Sequence, residues 1–214
     1  MKKNICIVII AILLLNLSVF CVSALVSEDF EYGVSKSGFV TISRYTGTDE
    51  NVVIPSIIDG YFVIKISDFA FKSHKSLTSI TIPDSVAIIG EYVFEKCTSL
   101  TSITISDSVT TIGNNAFSGC TALTSVTLSN NLTEIGINAF QGCTSLTSII
   151  VPESVTKAGR WAFGSCYGLT SATVLGSVIG DNMFSACRSL TEINLSENVK
   201  SIGYGAFSGC DSLT

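Results

Sequence analysis

The side chains of this sequence best equipped for chemistry are six cysteines. Cys97, Cys120, Cys143, Cys166, Cys187 and Cys210 follow one another every 23 residues, with one interval shortened to 21. A thiol can bridge, bind metal or act as a nucleophile, and the spacing bears on each. No Cys-x-x-Cys pair or Cys/His cluster is present, so no zinc site is expected. An even cysteine count in a secreted chain usually signals disulfides. Uniform spacing, however, puts every Cys in the same surroundings with parallel side-chain directions. Neighbours could then meet the distance for a bridge but not easily its torsion. Each Cys also follows a Phe by three residues and precedes a Leu by three, the setting of a buried thiol used as a small apolar filler. Free thiols are the reading preferred here, with bridging as the alternative. His74, the single histidine, takes the cysteine's place: FKSHKSL (71–77) aligns with FEKCTSL (94–100). It reads as an end-of-array substitution rather than a catalytic base. No G-x-S-x-G, H-E-x-x-H, phosphate-loop or dinucleotide pattern occurs, and nothing groups a nucleophile with a base and an orienting partner. No catalytic residue, metal or cofactor is expected.

The elements that hold these side chains repeat as they do. LTSITIPDSVAIIGEYVFEKCTS (77–99) is followed by LTSITISDSVTTIGNNAFSGCTA (100–122), and the pattern continues to residue 212, with the 21-residue unit at 169–189. A fixed period of 20 to 29 residues with an L-x-x-L-x-L core marks a leucine-rich-repeat solenoid. The expected fold is α/β but β-rich. Parallel strands near 79–83, 102–106, 125–129, 148–152, 171–175 and 192–196 stack about 4.8 Å apart, with short helical or 3₁₀ turns on the convex side. Leu77, Ile80, Ile82, Val86, Ile89, Val93, Phe94 and Cys97 form the core set of one unit. Gly90 and its equivalents are expected at a bend needing a positive backbone angle. The 21-residue unit lacks two residues between Val178 and Ile179, which predicts a local kink. Ser85, Ser108, Asn131, Ser154, Ser177 and Asn198 share a slot where a short polar side chain can bond the adjoining turn. Asp84, Asp107, Glu153 and Glu197 precede it, as turn caps or as a broken calcium column.

Upstream the pattern weakens. Residues 25–53 read as an N-terminal β-hairpin cap and 54–76 as a divergent first coil, interrupted by an Asp59-Gly60 hairpin signal. The solenoid thus covers 54–214, with six repeats over 77–212. Leu213-Thr214 opens another unit, so the chain is expected to be cut short of further repeats, an anchor or another domain.

Residues 1–24 combine Lys2 and Lys3, an apolar run from Ile5 to Leu15, and Val22-Ser23-Ala24. This is the pattern of a secretory signal peptide cut after Ala24, with an uncleaved membrane anchor as the rival. No second apolar stretch is long enough to span a bilayer. Without Lys2 and Lys3, ten basic side chains face seventeen acidic ones, a formal charge of −7. That balance argues against nucleic acid and anionic membrane as partners. The chain is therefore expected to be secreted or on the cell surface; its oligomeric state is not legible.

Two surfaces are candidates for binding. Strand residues pointing away from the core form a concave hydroxyl stripe: Ser79, Thr81, Ser102, Thr104, Ser125, Thr127, Ser148, Thr173 and Asn194, together with Ile150, Ser171 and Glu192. Solenoid faces of this kind bind partners, although short side chains make few anchors and a stripe tuned only for strand propensity and solubility is the plain alternative. The second candidate is an aromatic patch two residues after the bend glycine, Phe69, Tyr92 and Trp161, with Arg160 alongside. Packing between convex turns is its plain alternative. Asn131 and Asn194 fit the N-glycosylation pattern, which is common by chance.

Units such as LTSITISDSVTTIGNNAFSGC resemble the BspA-type leucine-rich repeats of surface proteins from mucosal bacteria and protists, over roughly residues 50–214. The resemblance implies a secreted or surface-displayed solenoid that adheres to host matrix or cell-surface proteins. It brings no catalytic residues. A structural spacer array presenting a missing C-terminal domain is the alternative function.

Overall fold

The computed structural model describes residues 25–27 and 29–214, so the leader assigned to 1–24 lies outside the described residues. The repeats wind into a β-solenoid with two strand columns. The first contains β4 (Asn51–Val53), β7 (Ser79–Thr81), β9 (Ser102–Thr104), β11 (Ser125–Thr127), β13 (Ser148–Val151), β15 (Ser171–Val174) and β17 (Glu192–Leu195). The second contains β6 (Tyr61–Ile66), β8 (Ile88–Ile89), β10 (Thr111–Ile112), β12 (Glu134–Ile135), β14 (Lys157–Ala158), β16 (Val178–Ile179) and β18 (Ser201–Ile202). Pairing down both columns is parallel and in register, as in Ser102↔Ser125 and Ile89↔Ile112. At the N-terminal end β1 (Leu25–Ser27), β2 (Phe30–Val34) and β3 (Phe39–Tyr45) pair antiparallel, and β3 joins β6 in parallel. Asp59 and Gly60, both with positive φ, turn β5 (Ile57–Ile58) back onto β6, the two-residue hairpin their sequence favours.

The core set expected from the repeat is buried in full, from Leu77 through Cys97. Its spine is a column of aromatic rings. Phe71, Phe94, Phe117, Phe140, Phe163, Phe184 and Phe207 stack with centroids 4.9–5.7 Å apart, one per coil. The spacing is close to that of the backbone ladder, about 4.8 Å, and widens over the last two pairs, so each ring rests on the next without displacing a strand.

The structure corrects the expected helical or 3₁₀ turns: among the described residues there is no helix. Each segment from the bend glycine to the cysteine is a run of tight turns that also ladders to its neighbour. The N–H groups of Tyr92, Phe94 and Lys96 donate to Asn114, Ala116 and Ser118 of the next coil, while Glu95 and Cys97 donate back to Tyr92 and Phe94. Two left-handed residues per coil, such as Asn115 and Gly119, keep the segment from becoming a helix; right-handed helical geometry cannot run through them.

The bend glycines are also there for a different reason. Gly90, Gly113, Gly136, Gly159, Gly180 and Gly203 do not have positive φ. A Cβ on Gly113 would lie 2.5 Å from the carbonyl carbon of Gly90, and one on Gly136 2.5 Å from that of Gly113. This column is glycine because successive coils touch there backbone to backbone.

The shortened unit is placed differently too. Val178↔Ser201 pairing and Lys200 N–H bonding to the Ser177 carbonyl put Ser177 level with Ala87, whose carbonyl accepts from Thr110. The two missing residues therefore precede Ser177, which leaves the polar slot assigned to it, and Gly176 replaces the longer turn. A Cβ there would meet the Val155 carbonyl oxygen at 2.8 Å. The second strand column is interrupted at this point, between β14 and β16.

Candidate functional site

The stripe residues sit on the solvent side of the first strand column. Thr81, Ser102, Thr104, Ser125, Thr127, Ser148 and Asn194 are exposed, and Ser79 and Thr173 half-buried. The Ser79 hydroxyl donates to Asn51 Oδ1 at 2.6 Å, and the Asn194 amide to Glu192 Oε1 at 2.8 Å. The stripe is not an even sheet. No ladder joins β7 to β9 or β11 to β13. At the second of these breaks lies a cleft of about 270 Å³ bordered by Val126, Leu128, Ile150, Pro152 and Leu175. Ile150 is 61% exposed. This apolar centre was not singled out as a site from sequence. Its signal is Ile150 in a column that Thr or Asn fills in the other five repeats, with Val53 in the coil before them, and Leu175 where other units carry Pro or Ser.

Alongside runs a threonine ladder, also unforeseen. Thr101, Thr124, Thr147, Thr170 and Thr191 each donate a hydroxyl to the carbonyl of the equivalent Thr one coil earlier, at 3.0–3.5 Å. The polar slot works as expected at most positions. Ser108, Asn131 and Ser154 donate to carbonyls of the preceding coil at 2.7–2.9 Å. Asp107 accepts the Asn130 N–H, and Glu153 the Asn198 amide, so these two acids bond to later coils. Among the described residues no group of three or more metal-ligating side chains converges.

The thiols are free, and they do more than fill space. Cys97, Cys120, Cys143, Cys166, Cys187 and Cys210 each direct Sγ at the carbonyl of the Phe in the preceding coil, at 3.1–3.3 Å. Desolvation pushes the Cys97 and Cys187 pKa values up to about 12 and raises those of the other four. A protonated thiol is the form that can donate, and a poor nucleophile. His74 makes the same bond at the N-terminal end: Nε2 lies 3.3 Å from the Tyr45 carbonyl. Because a carbonyl only accepts, Nε2 carries the proton. The Tyr45 ring lies stacked on Phe71 at 5.1 Å, so β3 supplies the first ring of the aromatic column.

The aromatic patch occupies one of the two left-handed positions in each coil. Phe69, Tyr92 and Trp161 have φ of 64°, 56° and 60°. The same slot holds Asn115, Asn138, Asn182 and Gly205 elsewhere. Asn and Gly tolerate this conformation, whereas a bulky side chain costs roughly 1–2 kcal/mol there. Phe69 and Tyr92 stack face to face, with centroids 5.0 Å apart and an 8° interplanar angle. Trp161 is three coils away from Tyr92 and lies over Gly164, where any Cβ would collide with its ring. The patch is therefore two sites, a stacked pair and a lone tryptophan.

Six copies of the BspA-type leucine-rich-repeat region match residues 64–178 and 176–214. No curated protein matches the chain. The crystal structure of the T. pallidum leucine-rich-repeat protein TpLRR is 32% identical, over 90% of this chain and 91% of that one, with a TM-score of 0.83. A leucine-rich-repeat protein from Bacteroides ovatus is 24% identical over 90% of this chain and 82% of its own, with a TM-score of 0.53, and shares the fold. With the repeat region matched over most of its length, and its cysteine and glycine columns explained by coil stacking, this chain belongs to the BspA-type leucine-rich-repeat proteins.

Proposed function

We propose that this solenoid is an extracellular or cell-surface protein-binding module that adheres to host matrix or cell-surface proteins and has no catalytic activity. The coarser statement stands on the family alone: a leucine-rich-repeat array is a protein-interaction or structural module. The observation that carries the finer reading is the apolar cleft around Ile150 and Leu175 in the middle of the hydroxyl stripe. An apolar centre with a polar surround is the usual anatomy of a protein interface. The reactive-looking residues, Cys97 through Cys210 and His74, are occupied in bonds between coils, which supports the non-catalytic reading. Secretion rests on the leader pattern in 1–24; among the described residues no helix is long and apolar enough to cross a membrane.

Single Ser and Thr contacts are weak, so adhesion by this face draws on several coils at once. The test compares attachment to matrix-coated surfaces and partner cells for three folded variants. Thr104→Lys with Thr127→Lys, and Ile150→Lys, are expected to weaken attachment more than Tyr92→Asn with Trp161→Asn. If the aromatic variant is the sensitive one, the binding face is the turn column. If the unmodified solenoid binds nothing, a spacer array that presents another domain becomes the better account.

A further inference from the structure

We propose that the N-terminal end of the turn column is a carbohydrate site, taking a pyranose that bears a carboxylate, independent of the strand face and of protein adhesion. The first observation is conformational. Phe69 and Tyr92 are held in left-handed geometry at a slot that Asn or Gly fills in four other coils. Strain of this kind persists where the surroundings enforce it, and points to a use for the side chain.

The second observation is what the rings present. Phe69 and Tyr92 stack along the direction in which the coils stack, so the outer face of Phe69 looks past the first coil. Phe69 is 52% exposed. The Lys72 ammonium lies 5.1 and 5.2 Å from the two ring centroids, themselves 5.0 Å apart. Near-equal distances put it beside the stack, where Glu95 holds it at 2.7 Å, and leave the outer face of Phe69 clear. Phe69 borders a cavity of about 680 Å³, which also reaches Ser43, Arg44, Lys72, Ser73 and His74. The volume is that of a small-molecule pocket.

The third observation selects the ligand. The floor is one aromatic face and the walls are hydroxyls and cations, so the occupant needs one apolar face and polar edges. A pyranose has both: its axial C–H bonds carry partial positive charge and meet the negative face of the ring. An aromatic peptide side chain would leave its edges against polar walls. Arg44 makes no ion pair among the described residues, not even with Glu31 opposite it in the register. The Ser43 and Ser73 hydroxyls likewise have no partner among the described residues. In a chain whose formal charge is −7 without its leader, the unpaired Arg44 guanidinium at this cavity favours an acid, and Arg binds carboxylate through two parallel bonds.

The test uses calorimetry and saturation-transfer NMR on the chain from residue 25, with 3′-sialyllactose and a hyaluronan tetrasaccharide as acidic probes. Lactose and N-acetylphenylalanine amide are the counter-probes. At least one acidic sugar is expected to bind and both counter-probes to fail. Phe69→Asn is expected to weaken binding about tenfold or more while leaving Tm unchanged or higher, because Asn suits the conformation. Arg44→Gln is expected to weaken it by a similar factor, the scale of one charge-assisted contact. The proposal is overturned if neither acidic sugar binds, if lactose or the phenylalanine amide binds as well as they do, or if Phe69→Asn binds normally. It is also overturned if Phe69→Asn lowers Tm by several degrees with binding per folded molecule intact, since the ring would then be packing. Loss of adhesion in the Thr104, Thr127 or Ile150 variants leaves each of these outcomes readable.

Discussion

The two ends of the aromatic column are built differently. At the N-terminal end Tyr45 extends the column by one ring, Phe30 packs against it at 5.3 Å, and His74 takes over the cysteine's bond to the backbone. Tyr45 and Phe30 are buried and His74 half-buried. At the other end Phe207 and Cys210 are only half-buried, Leu195 and Ile202 are exposed, and Tyr204 is 84% exposed. The coil chemistry is the same at both. Among the described residues, what differs is whether a packed neighbour lies on the far side. A coil of a solenoid has no core of its own; burial is supplied by the units above and below. At the N-terminal end, side chains outside the repeat do that work.

The largest effect that can test this comparison comes from removing a ring. Phe117→Ala, in the middle, is expected to cost about 3–5 kcal/mol, as for a buried aromatic whose cavity cannot collapse. Phe207→Ala should cost about 1–2 kcal/mol, since its ring is already partly in water. Equal losses in denaturant titrations would mean that the end coil is covered in solution.

Adding a methyl group where coils meet should rank next. Gly136→Ala puts a Cβ 2.5 Å from backbone atoms of the previous coil and is expected to cost about 1–3 kcal/mol by overpacking. At the distal position, Gly60→Ala has open space around its Cβ but keeps a φ of 83°, so only conformational strain of roughly 1 kcal/mol is expected. Thermal melts of the two variants separate contact from conformation.

These glycines also show where sequence reading stops. The 23-residue period was enough to place every core residue from Leu77 to Cys97 and the parallel strands, because burial repeats with the coil and leaves its mark on residue type. The same period could not say why Gly90 is glycine, since a positive φ and a close approach select the same residue. It hid the thiol-to-carbonyl bond, since a buried donor and a buried filler are both Cys. It missed Tyr45, whose place in the ring column depends on β3 crossing to β6, outside any repeat. For the candidate site, the exposed stripe followed from strand alternation. The cleft at Ile150 did not, because it arises from a break in the ladder between β11 and β13 that no residue pattern announces. The aromatic slot was visible as a departure from its column, but its left-handed backbone was not.

Protons provide the next test. Burial raises the pKa of every thiol in the column, to about 12 at Cys97 and Cys187, against about 9 when solvated. Tyr32 is raised to about 12, and Tyr45 is raised as well. The folded chain therefore keeps protons that the unfolded chain releases, so this stabilisation is complete below pH 9 and is lost as pH climbs from about 9 toward 12. Stability should fall steeply over that window. Cys143→Ala should flatten the slope by about 1.4 kcal/mol per pH unit, the weight of one proton. Cys210→Ala should flatten it less, because that thiol is only half-buried. A thiol reagent at pH 8 should accordingly label Cys210 well before Cys143. The reverse order would invert the comparison of middle and end.

The smallest expected effect asks whether His74 and the cysteines do one job. At the end of the column His74 donates Nε2–H to the Tyr45 carbonyl, and its ring also meets the Tyr45 ring at 5.1 Å. His74→Cys keeps a donor at that carbonyl and gives up the ring contact, so it should change stability by no more than about 1 kcal/mol, the scale of one aromatic contact. His74→Ala removes both and leaves the Tyr45 carbonyl with one donor fewer, adding about 1 kcal/mol for the hydrogen bond. In the middle the exchange should fail in the other direction. Cys143→His would force a ring between coils held about 4.8 Å apart, with Cys143 fully buried, and should cost about 1–3 kcal/mol or more. Guanidinium melts of the three variants distinguish a shared hydrogen-bonding role from a difference in room. If His74→Cys is as damaging as His74→Ala, the thiol cannot replace the imidazole, and the donor common to both ends of the column is not what holds Tyr45 in place.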